Sequence, residues 1–313
     1  MCSEFVHIPV LAKQVLSVLT PQDKGVYIDG TVGGGGHAGL ILAAGAPSAR
    51  LLGIDRDREA LNAAKAHLAP FAGRFTLAEG NYCDMGQIAA AHGITCVDGI
   101  LLDIGVSSYQ LDTAERGFSY MQDAPLDMRM NQQQGKTAAD LVNFCSEQEL
   151  TDILYQYGEE KWAARIVRFI VEQRRQEPIQ TTSQLVELIK KAIPKGAREK
   201  DQHPAKRTFQ ALRIAVNGEL DALTIGLDAA INLLKPGGVL AVITFHSLED
   251  RIVKERFRFH ATDCICPPEM PVCQCGHHAC VNLLNKKPFV ADEDEVKENP
   301  RSRSAKLRAV VKK

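Results

Sequence analysis

Short apolar runs and longer amphipathic segments alternate along the first hundred positions. Runs of strand-forming residues occur near 26–29, 51–55, 74–78 and 97–103, and the segments between them are long enough for helices. Strands that alternate with helices form parallel βαβ units. The pattern therefore predicts an α/β fold built on a mostly parallel sheet.

The pattern changes from about residue 111 and becomes helical. Apolar residues recur at helical spacing near 138–145, 147–156, 159–175, 182–192 and 205–215. Strand character returns at 237–245, and we expect Phe289-Val290 and the segment Ala305 to Val311 to complete the sheet. We thus predict a sheet domain formed by residues 1–110 and 214–313, interrupted by a helical domain at 111–213.

The first strand ends in Asp29 and leads into four consecutive glycines, Gly33 to Gly36. Open α/β sheets bind nucleotide-like cofactors at such a turn, at the carboxyl end of a strand. Gly34, Gly36 and Gly39 match the G-x-G-x-x-G pattern of dinucleotide sites. A dinucleotide places its pyrophosphate at this turn, where the Asp29 carboxylate would repel it.

Three predicted strands end in an acid, namely Asp29, Asp55 and Asp103. Acids at neighbouring strand ends suit a ligand that carries ribose hydroxyls and positive charge but no phosphate. S-adenosyl-L-methionine has these properties, with its ammonium, sulfonium and adenosine groups. The alternative is that each acid caps the helix that follows it.

The composition is that of an ordinary globular protein. With 313 residues and 45% hydrophobic positions, the chain is long enough for a full domain and a smaller one. It has no apolar run of membrane-spanning length and no secretory signal at its start, so we expect a cytoplasmic protein without a membrane partner.

The net charge of −1 conceals an asymmetry. Residues 1–149 hold 10 Lys+Arg and 17 Asp+Glu, whereas residues 150–215 hold 13 and 8. The last thirteen residues contain six cations and no acid. Such basic segments can form a nucleic-acid interface, or simply a solvated helix face and tail.

Several longer motifs carry a resemblance to a known family. They are HIPVL at 7–11, YIDGT at 27–31, DGILLDIGVSSYQLD at 98–112, ERGFS at 115–119, PLDMRM at 125–130, YGEE at 157–160, HPAKRTFQALR at 203–213, FHSLEDR at 245–251 and NPRSRS at 299–304. In this order, over nearly the whole chain, they resemble the ribosomal RNA small subunit methyltransferase H family. Its members methylate the exocyclic N4 of a cytidine in 16S ribosomal RNA.

The resemblance implies a class I methyltransferase domain, Rossmann-like with helices on both faces, and an inserted helical domain that recognises RNA. It implies S-adenosylmethionine as cofactor and 16S rRNA of the small ribosomal subunit, near the decoding site, as partner. The implied cofactor contacts are Gly35, Gly36 and His37 with the methionine part, Asp55 with the ribose, Tyr82 with adenine, and also Asp103 and Gln110. The oligomeric state stays open, a homodimer included.

Two residues are candidates for catalysis. The N4 lone pair of cytosine is delocalised into the ring, so the enzyme must orient this nitrogen and accept hydrogen bonds from its protons. Asp103 is the candidate acceptor, unless it serves only as a cofactor ligand. His246, expected at the end of the fifth strand, is the second candidate, and the alternative is a structural histidine bonded to the backbone.

Two other functions remain open at the level of sequence. The same cofactor fold would serve a methyltransferase that acts on a protein or a small molecule, because fold does not dictate substrate. The chain would also suit a non-catalytic ribosome assembly factor with a vestigial cofactor pocket. The basic segment favours RNA over the first alternative, and the intact acids and glycines argue against the second.

The chain has nine cysteines, and five of them lie within 264–280. Cys264, Cys266, Cys273 and Cys275 form two C-x-C pairs, which predict a structural zinc site. This spacing is less diagnostic than C-x-x-C. Disulfides are the other use of paired cysteines, and a reducing cytoplasm disfavours them.

Overall fold

The computed structural model describes residues 9–199, 202–267, 269–270 and 272–313. His7 and Ile8 of the first motif, and Pro268 and Pro271 between the cysteines, lie outside the described residues. The chain divides into two compact units: Met1–Gly105 together with Leu220–Lys313, and the intervening Val106–Glu219.

The first unit contains a seven-stranded sheet. Its strands are β1 (Val26–Asp29), β2 (Arg50–Asp55), β3 (Phe75–Glu79), β4 (Val97–Asp103), β5 (Leu234–Thr244), β6 (Val281–Leu283) and β7 (Lys306–Lys312). They lie in the order β3-β2-β1-β4-β5-β7-β6. Strands β1 to β5 are parallel to one another, while β7 runs antiparallel to both β5 and β6. The predicted Rossmann-like, mostly parallel sheet is confirmed.

Helices cover both faces of this sheet. They are α1 (Ala12–Leu19), α2 (Gly36–Ala44), α3 (Arg58–His67), α4 (Met85–Ala91), α11 (Glu219–Leu233), α12 (Ser247–His260) and α13 (Glu293–Glu298). Successive strand residues point to opposite faces: Ile28 joins an apolar core with α4, α11 and α12, and Tyr27 joins another with α1, α2 and α3. Because both faces of the sheet interior are buried, β1, β2, β4 and β5 are mostly apolar rather than alternating.

The second unit is helical. Its helices are α5 (Ser108–Asp112), α6 (Ala138–Phe144), α7 (Glu147–Gly158), α8 (Ala163–Arg174), α9 (Thr182–Ala192) and α10 (Lys206–Asn217). Capping boxes open α5, α6, α7 and α9, each with a hydroxyl residue that accepts the third helical N–H. One apolar core that includes Leu150, Ile166, Ile189 and Leu212 holds them together.

This helical unit extends beyond the predicted range of 111–213 at both ends. Val106 packs against its core, and Ser107 and Gln110 form the capping box of α5. At the other end, the Arg213 guanidinium pairs with the Glu219 carboxylate at 2.8 Å. These contacts place the flanking residues with the helices.

The prediction that Phe289-Val290 would form a strand is wrong. Phe289 makes a single bridge to Leu307, and the edge strand is β6. The Asn285 side chain explains the interruption, because its Oδ1 accepts the Ala309 N–H at 3.0 Å and its Nδ2 donates to the Leu307 carbonyl. The Asn285 side chain thus occupies the Ala309 N–H, which a continuous strand would use, while the Leu307 carbonyl also accepts the Phe289 N–H. The other predicted final strand is present as β7.

Among the described residues, none of the helices has the length and apolar composition needed to cross a bilayer.

Candidate active site

Three adjacent strands of the first unit present an acid at the same edge of the sheet. Asp29 ends β1, which lies between β2, ending in Asp55, and β4, ending in Asp103. Asp29 pairs in register with Gly53 and Leu101, so the two outer acids each lie two residues beyond it. The side chains therefore surround the point where β1 turns into α2.

The glycine turn has one face towards the protein and one towards open space. Gly33 and Gly35 have left-handed φ angles of 49° and 86°, which glycine adopts without steric cost. A Cβ at Gly35 would lie 3.2 Å from the Cα of Ala64 in α3, whereas a Cβ at Gly34 would have no atom of the described residues within 4 Å. Gly35 thus packs against the fold, and Gly34, which the resemblance did not include among the cofactor contacts, faces the open side.

Asp55 fixes this turn and keeps acceptor capacity. Its Oδ2 accepts the Gly33 N–H at 2.8 Å, and its Oδ1 accepts the Asp57 N–H at 2.9 Å. The Arg56 N–H also acts on this carboxylate, and the two oxygens together have four lone pairs, so a ribose hydroxyl can still donate to it. Burial raises the pKa of Asp55 to about 6, although the N–H groups of Asp57 and Gly33 act in the opposite direction.

Asp103 is the acid with the most acceptor capacity to spare. Its Oδ1 is buried, and no hydrogen bond reaches it from the described residues. Its Oδ2 lies 3.6 Å from the Nε2 of His37, at the start of α2. Burial raises the pKa of Asp103 to about 8, and the negative charges of Asp29 and Glu249 add to the effect.

Asp29 lies beneath the turn and is buried, with 1% of its surface exposed. Its Oδ1 accepts the Thr31 N–H at 3.2 Å, and the Thr31 hydroxyl accepts the Asp103 N–H at 2.6 Å. Burial raises the pKa of Asp29 to about 7, and the Asp55 charge contributes. The three acids thus repel one another's ionised forms, which favours a cationic ligand.

His246 precedes α12, where it takes part in a capping box with Glu249. One Glu249 oxygen accepts the Phe245 N–H at 2.8 Å and the His246 N–H at 3.2 Å. The other lies 2.9 Å from the His246 Nε2. Glu249 is fully buried. Sequence reasoning missed it as a site residue, although H-x-x-E just after an apolar strand has the spacing of a capping box.

The remaining predicted cofactor contacts occupy different places. Tyr82 follows β3 in a short 3₁₀ helix and is buried. Its ring packs against Gly226 of α11, where a Cβ would come within 2.5 Å of the ring. Gln110 belongs to the helical unit, where its side chain accepts the Ser107 N–H at 3.0 Å.

The residues of the first unit fit S-adenosylmethionine better than a dinucleotide. Asp55 retains acceptor capacity for a hydroxyl, Gly34 leaves space beside the turn, and Asp103 has a buried acceptor without a partner among the described residues. A pyrophosphate at this turn would meet the carboxylates of Asp29 and Asp55 in place of a favourable electrostatic field.

Comparison with known proteins identifies the family. The model of the MraW methylase family matches residues 4–313. The chain belongs to this family. Two curated relatives, each called ribosomal RNA small subunit methyltransferase H, come from Geobacter sp. strain M21 and Geobacter sulfurreducens. The first is 56% identical over 309 residues, covering 99% of each chain, and the second is 57% identical over 308 residues, covering 98% of this chain and 99% of the relative.

A third relative of the same name, from Symbiobacterium thermophilum, is 56% identical over 308 residues, covering 98% of this chain and 97% of the relative. Among solved structures, an rRNA methylase from Streptococcus thermophilus aligns with 98% of this chain and 99% of its own, at 7% identity and a TM-score of 0.44. At that level of likeness, the fold assignment rests on the strand order.

The four cysteines of the two C-x-C pairs lie away from these acids in sequence but close to one another in space. The sulfurs of Cys264, Cys266, Cys273 and Cys275 all lie within 4.8 Å of each other. Cys280 lies outside this group, and its sulfur is 3.5 Å from the Nδ1 of His260.

Proposed function

We propose that this protein transfers the methyl group of S-adenosylmethionine to the exocyclic N4 of a cytidine in 16S rRNA of the small ribosomal subunit. Membership of a methylase family supports the reaction class, and the name of the curated relatives supports the RNA substrate. The single observation that carries the choice of an amino nitrogen is the buried Oδ1 of Asp103 at the end of β4, which has no hydrogen-bond partner within the described part of the chain.

The cofactor is held by residues of the sheet edge. Asp55 accepts from the ribose hydroxyls, the backbone around Gly34 to Gly36 lies against the methionine part, and Tyr82 packs on adenine. When bound, S-adenosylmethionine supplies an electrophilic methyl group on a sulfonium. Asp29 and Asp103 supply negative charge near this cation. The cation in turn lowers the pKa of both acids, which burial and mutual repulsion raise in the ligand-free protein.

Asp103 orients the nitrogen and receives its proton. A carboxylate oxygen without a partner can accept an N4–H and so direct the nitrogen lone pair at the methyl carbon. As the nitrogen–carbon bond forms and the sulfur–carbon bond breaks, N4 must lose one proton. Because the bound cation favours the ionised form of Asp103, its Oδ1 can take this proton from the methylated nitrogen. His246 acts with Glu249 in positioning the start of α12.

The helical unit carries a basic face suited to RNA phosphates. Lys161, Arg165, Arg168 and Arg175 are exposed along α8 and its flanks, while Ile166 and Ile170 of the same helix are buried in the core. The guanidinium of Arg165 lies 5.9 Å from the ring centre of Phe169. Exposed cations in a row neutralise backbone phosphates without regard to sequence, so we assign this face to rRNA binding.

The substrate is tested by mass mapping of 16S rRNA from cells with and without the protein. We expect loss of one N4-methylcytidine signal, which is restored by adding back the wild-type chain. Unchanged rRNA would rule out this substrate. Methylation of a free protein in the purified system, with small subunits left unmodified, would favour the other substrate class.

The role of Asp103 is tested with Asp103→Asn in purified protein and isolated small subunits. We expect the variant to bind S-adenosylmethionine more weakly by calorimetry, because one negative charge near the cation is lost, and to lose methylation about 100-fold or more at saturating cofactor. Methylation at the wild-type rate would remove the acceptor role. No cofactor binding by the wild-type chain would instead favour a non-catalytic assembly factor.

A further inference from the structure

The loop between α12 and β6 brings four cysteine sulfurs to one point. The sulfur of Cys273 lies 3.4 Å from that of Cys264 and 3.5 Å from that of Cys275, and the sulfurs of Cys264 and Cys275 are 3.9 Å apart. We propose that Cys264, Cys266, Cys273 and Cys275 bind one structural zinc ion. Four thiolates around zinc, each at about 2.3 Å, form a tetrahedron with edges of about 3.8 Å.

The spacing identifies a single ion rather than a cluster. All four sulfurs lie within 4.8 Å of one another, so each lies within reach of one central metal. Iron–sulfur clusters distribute their cysteines over separate irons, and thiolates on different irons lie farther apart than the edge of one tetrahedron. A tetrahedral site with four sulfur ligands and no open position is the arrangement of structural zinc.

Backbone N–H groups are already directed at the thiolates. The Gln274 N–H donates to the sulfur of Cys266 at 3.4 Å, and the His277 N–H donates to the sulfur of Cys275 at 3.5 Å. Gly276, with φ of 61°, makes the turn that brings the second donor back. Four thiolates and Zn²⁺ leave a net charge of −2, which such donors stabilise.

The loop needs an anchor other than apolar burial. Among its described residues, Ile265 is 49% exposed and Val272 is 68% exposed, and the described part of 262–280 contains no helix or strand. Its ends are tied to α12, because the His277 Nε2 lies 2.9 Å from the Phe259 carbonyl oxygen and the Cys280 N–H donates to the His260 carbonyl. A metal would fix the middle, since site formation contributes folding energy directly.

The test measures metal in the full chain, purified under reducing conditions without added chelator. We expect about one equivalent of zinc by elemental analysis and by native mass spectrometry. Cys264→Ser and Cys273→Ser should each lose most of it. Cys280→Ser is the matched control, because it removes a cysteine of the same loop that lies outside the cluster, and it should keep its zinc.

A second measurement holds even if the serine variants fail to fold. Removal of metal from the wild-type chain with a chelator should increase hydrogen exchange at 261–283 and leave β1 unchanged, and zinc should restore the protection. Cobalt in place of zinc should give the visible absorption of a tetrahedral thiolate site.

Zinc well below one equivalent, with all four thiols free to alkylate, would overturn the proposal. Iron at one equivalent, or a mass lower by two hydrogens for each disulfide, would overturn it as well. None of these readouts depends on methyltransferase activity, so the zinc site and the proposed function can fail separately.

Discussion

At the scale of single residues, the site is built from acids that are costly to ionise without a ligand. The pKa of Asp55 is raised to about 6, that of Asp29 to about 7 and that of Asp103 to about 8. Burial is the main cause in each, and neighbouring carboxylates add to it. Such buried acids lower the stability of the ligand-free protein when they are ionised. Because their ionisation depends on pH, the stability of the ligand-free protein should depend on pH as well.

Asp103→Asn should stabilise the ligand-free protein at alkaline pH. The folded pKa of about 8 lies above the unfolded value near 3.8, so the folded state binds more protons and stability falls as pH rises between these values. The amide removes this loss, giving a gain on the order of 5 kcal/mol at pH 8.5 that vanishes towards pH 4.

Thermal unfolding between pH 5 and pH 9 checks this sign. An Asp103→Asn gain that is constant with pH, or largest in acid, would contradict the raised pKa.

Glu249→Gln should lower the pKa of Asp103, because the Glu249 charge is one of the causes that raise it. Binding of a cation to acids with raised pKa releases protons, so wild-type affinity for S-adenosylmethionine should rise from pH 6 to pH 8. In the variant, the midpoint of this rise should move to lower pH. Calorimetry in two buffers of different ionisation enthalpy counts the protons released.

S-adenosylhomocysteine, which lacks the sulfonium charge, provides the control for that experiment, and its affinity should depend less on pH. A midpoint that stays in place in Glu249→Gln would mean that Glu249 does not act on Asp103 through charge.

The three acids could be predicted from the sequence, whereas the effect of the Glu249 charge on the pKa of Asp103 could not. Asp29, Asp55 and Asp103 each follow an apolar run, and parallel strands end at one edge of a sheet. Glu249 lies inside a predicted helix start. The H-x-x-E spacing predicts that its side chain folds back to accept the His246 N–H, but it does not predict that the charge lies near Asp103. That proximity requires the packing of α12 against the sheet, which no local pattern contains.

At the scale of elements, two adjacent glycines in the turn from β1 to α2 have different roles, one in packing and one in ligand binding. Gly35 has a left-handed φ and lies against α3, while Gly34 has open space where a side chain would project. The glycine run predicted such a turn. It could not indicate which glycine serves packing and which faces the ligand, because that depends on the position of α3.

Gly35→Ala should destabilise the protein by about 1–3 kcal/mol, because alanine is strained at this φ and its Cβ would lie 3.2 Å from Ala64. Gly34→Ala should fold with wild-type stability but bind S-adenosylmethionine about tenfold more weakly or worse, a loss of about 1.4 kcal/mol. Chemical denaturation and calorimetry on both variants measure the two effects. Equal loss of stability in both, or full affinity in Gly34→Ala, would contradict this division.

The interior strands of the sheet were predictable, whereas the edge at β6 was not. Strands β1, β2, β4 and β5 lie inside the sheet, are buried on both faces and stand out as apolar runs. The short edge strand β6 has one buried residue, Val281, followed by two exposed ones. Phe289-Val290 is the more apolar segment, yet the Asn285 side chain and Pro288 limit it to one bridge.

At the scale of the whole molecule, charge follows the division into units. Residues 1–149, most of them in the sheet unit, carry 17 acids and 10 cations, and residues 150–215, all in the helical unit, carry 13 cations and 8 acids. The basic C-terminal residues are less available than the sequence indicated. Arg308 and Lys306 pair with Asp250, and the Lys312 ammonium donates to the Ile231 carbonyl. This leaves the α8 face as the stronger candidate for RNA.

The α8 face should therefore control the salt dependence of rRNA binding. Replacing Lys161, Arg165 and Arg168 with alanine removes three exposed cations. For every phosphate that the variant no longer neutralises, the slope of log affinity against log salt should become shallower by about 0.7–0.9. Cofactor affinity should be unchanged.

The matched control replaces Lys13, Lys65 and Lys254, three exposed cations of the sheet unit. The slope is measured from the affinity for isolated small subunits at salt concentrations from about 50 to 200 mM. A slope altered only by the control triple would place the RNA interface on the sheet unit instead.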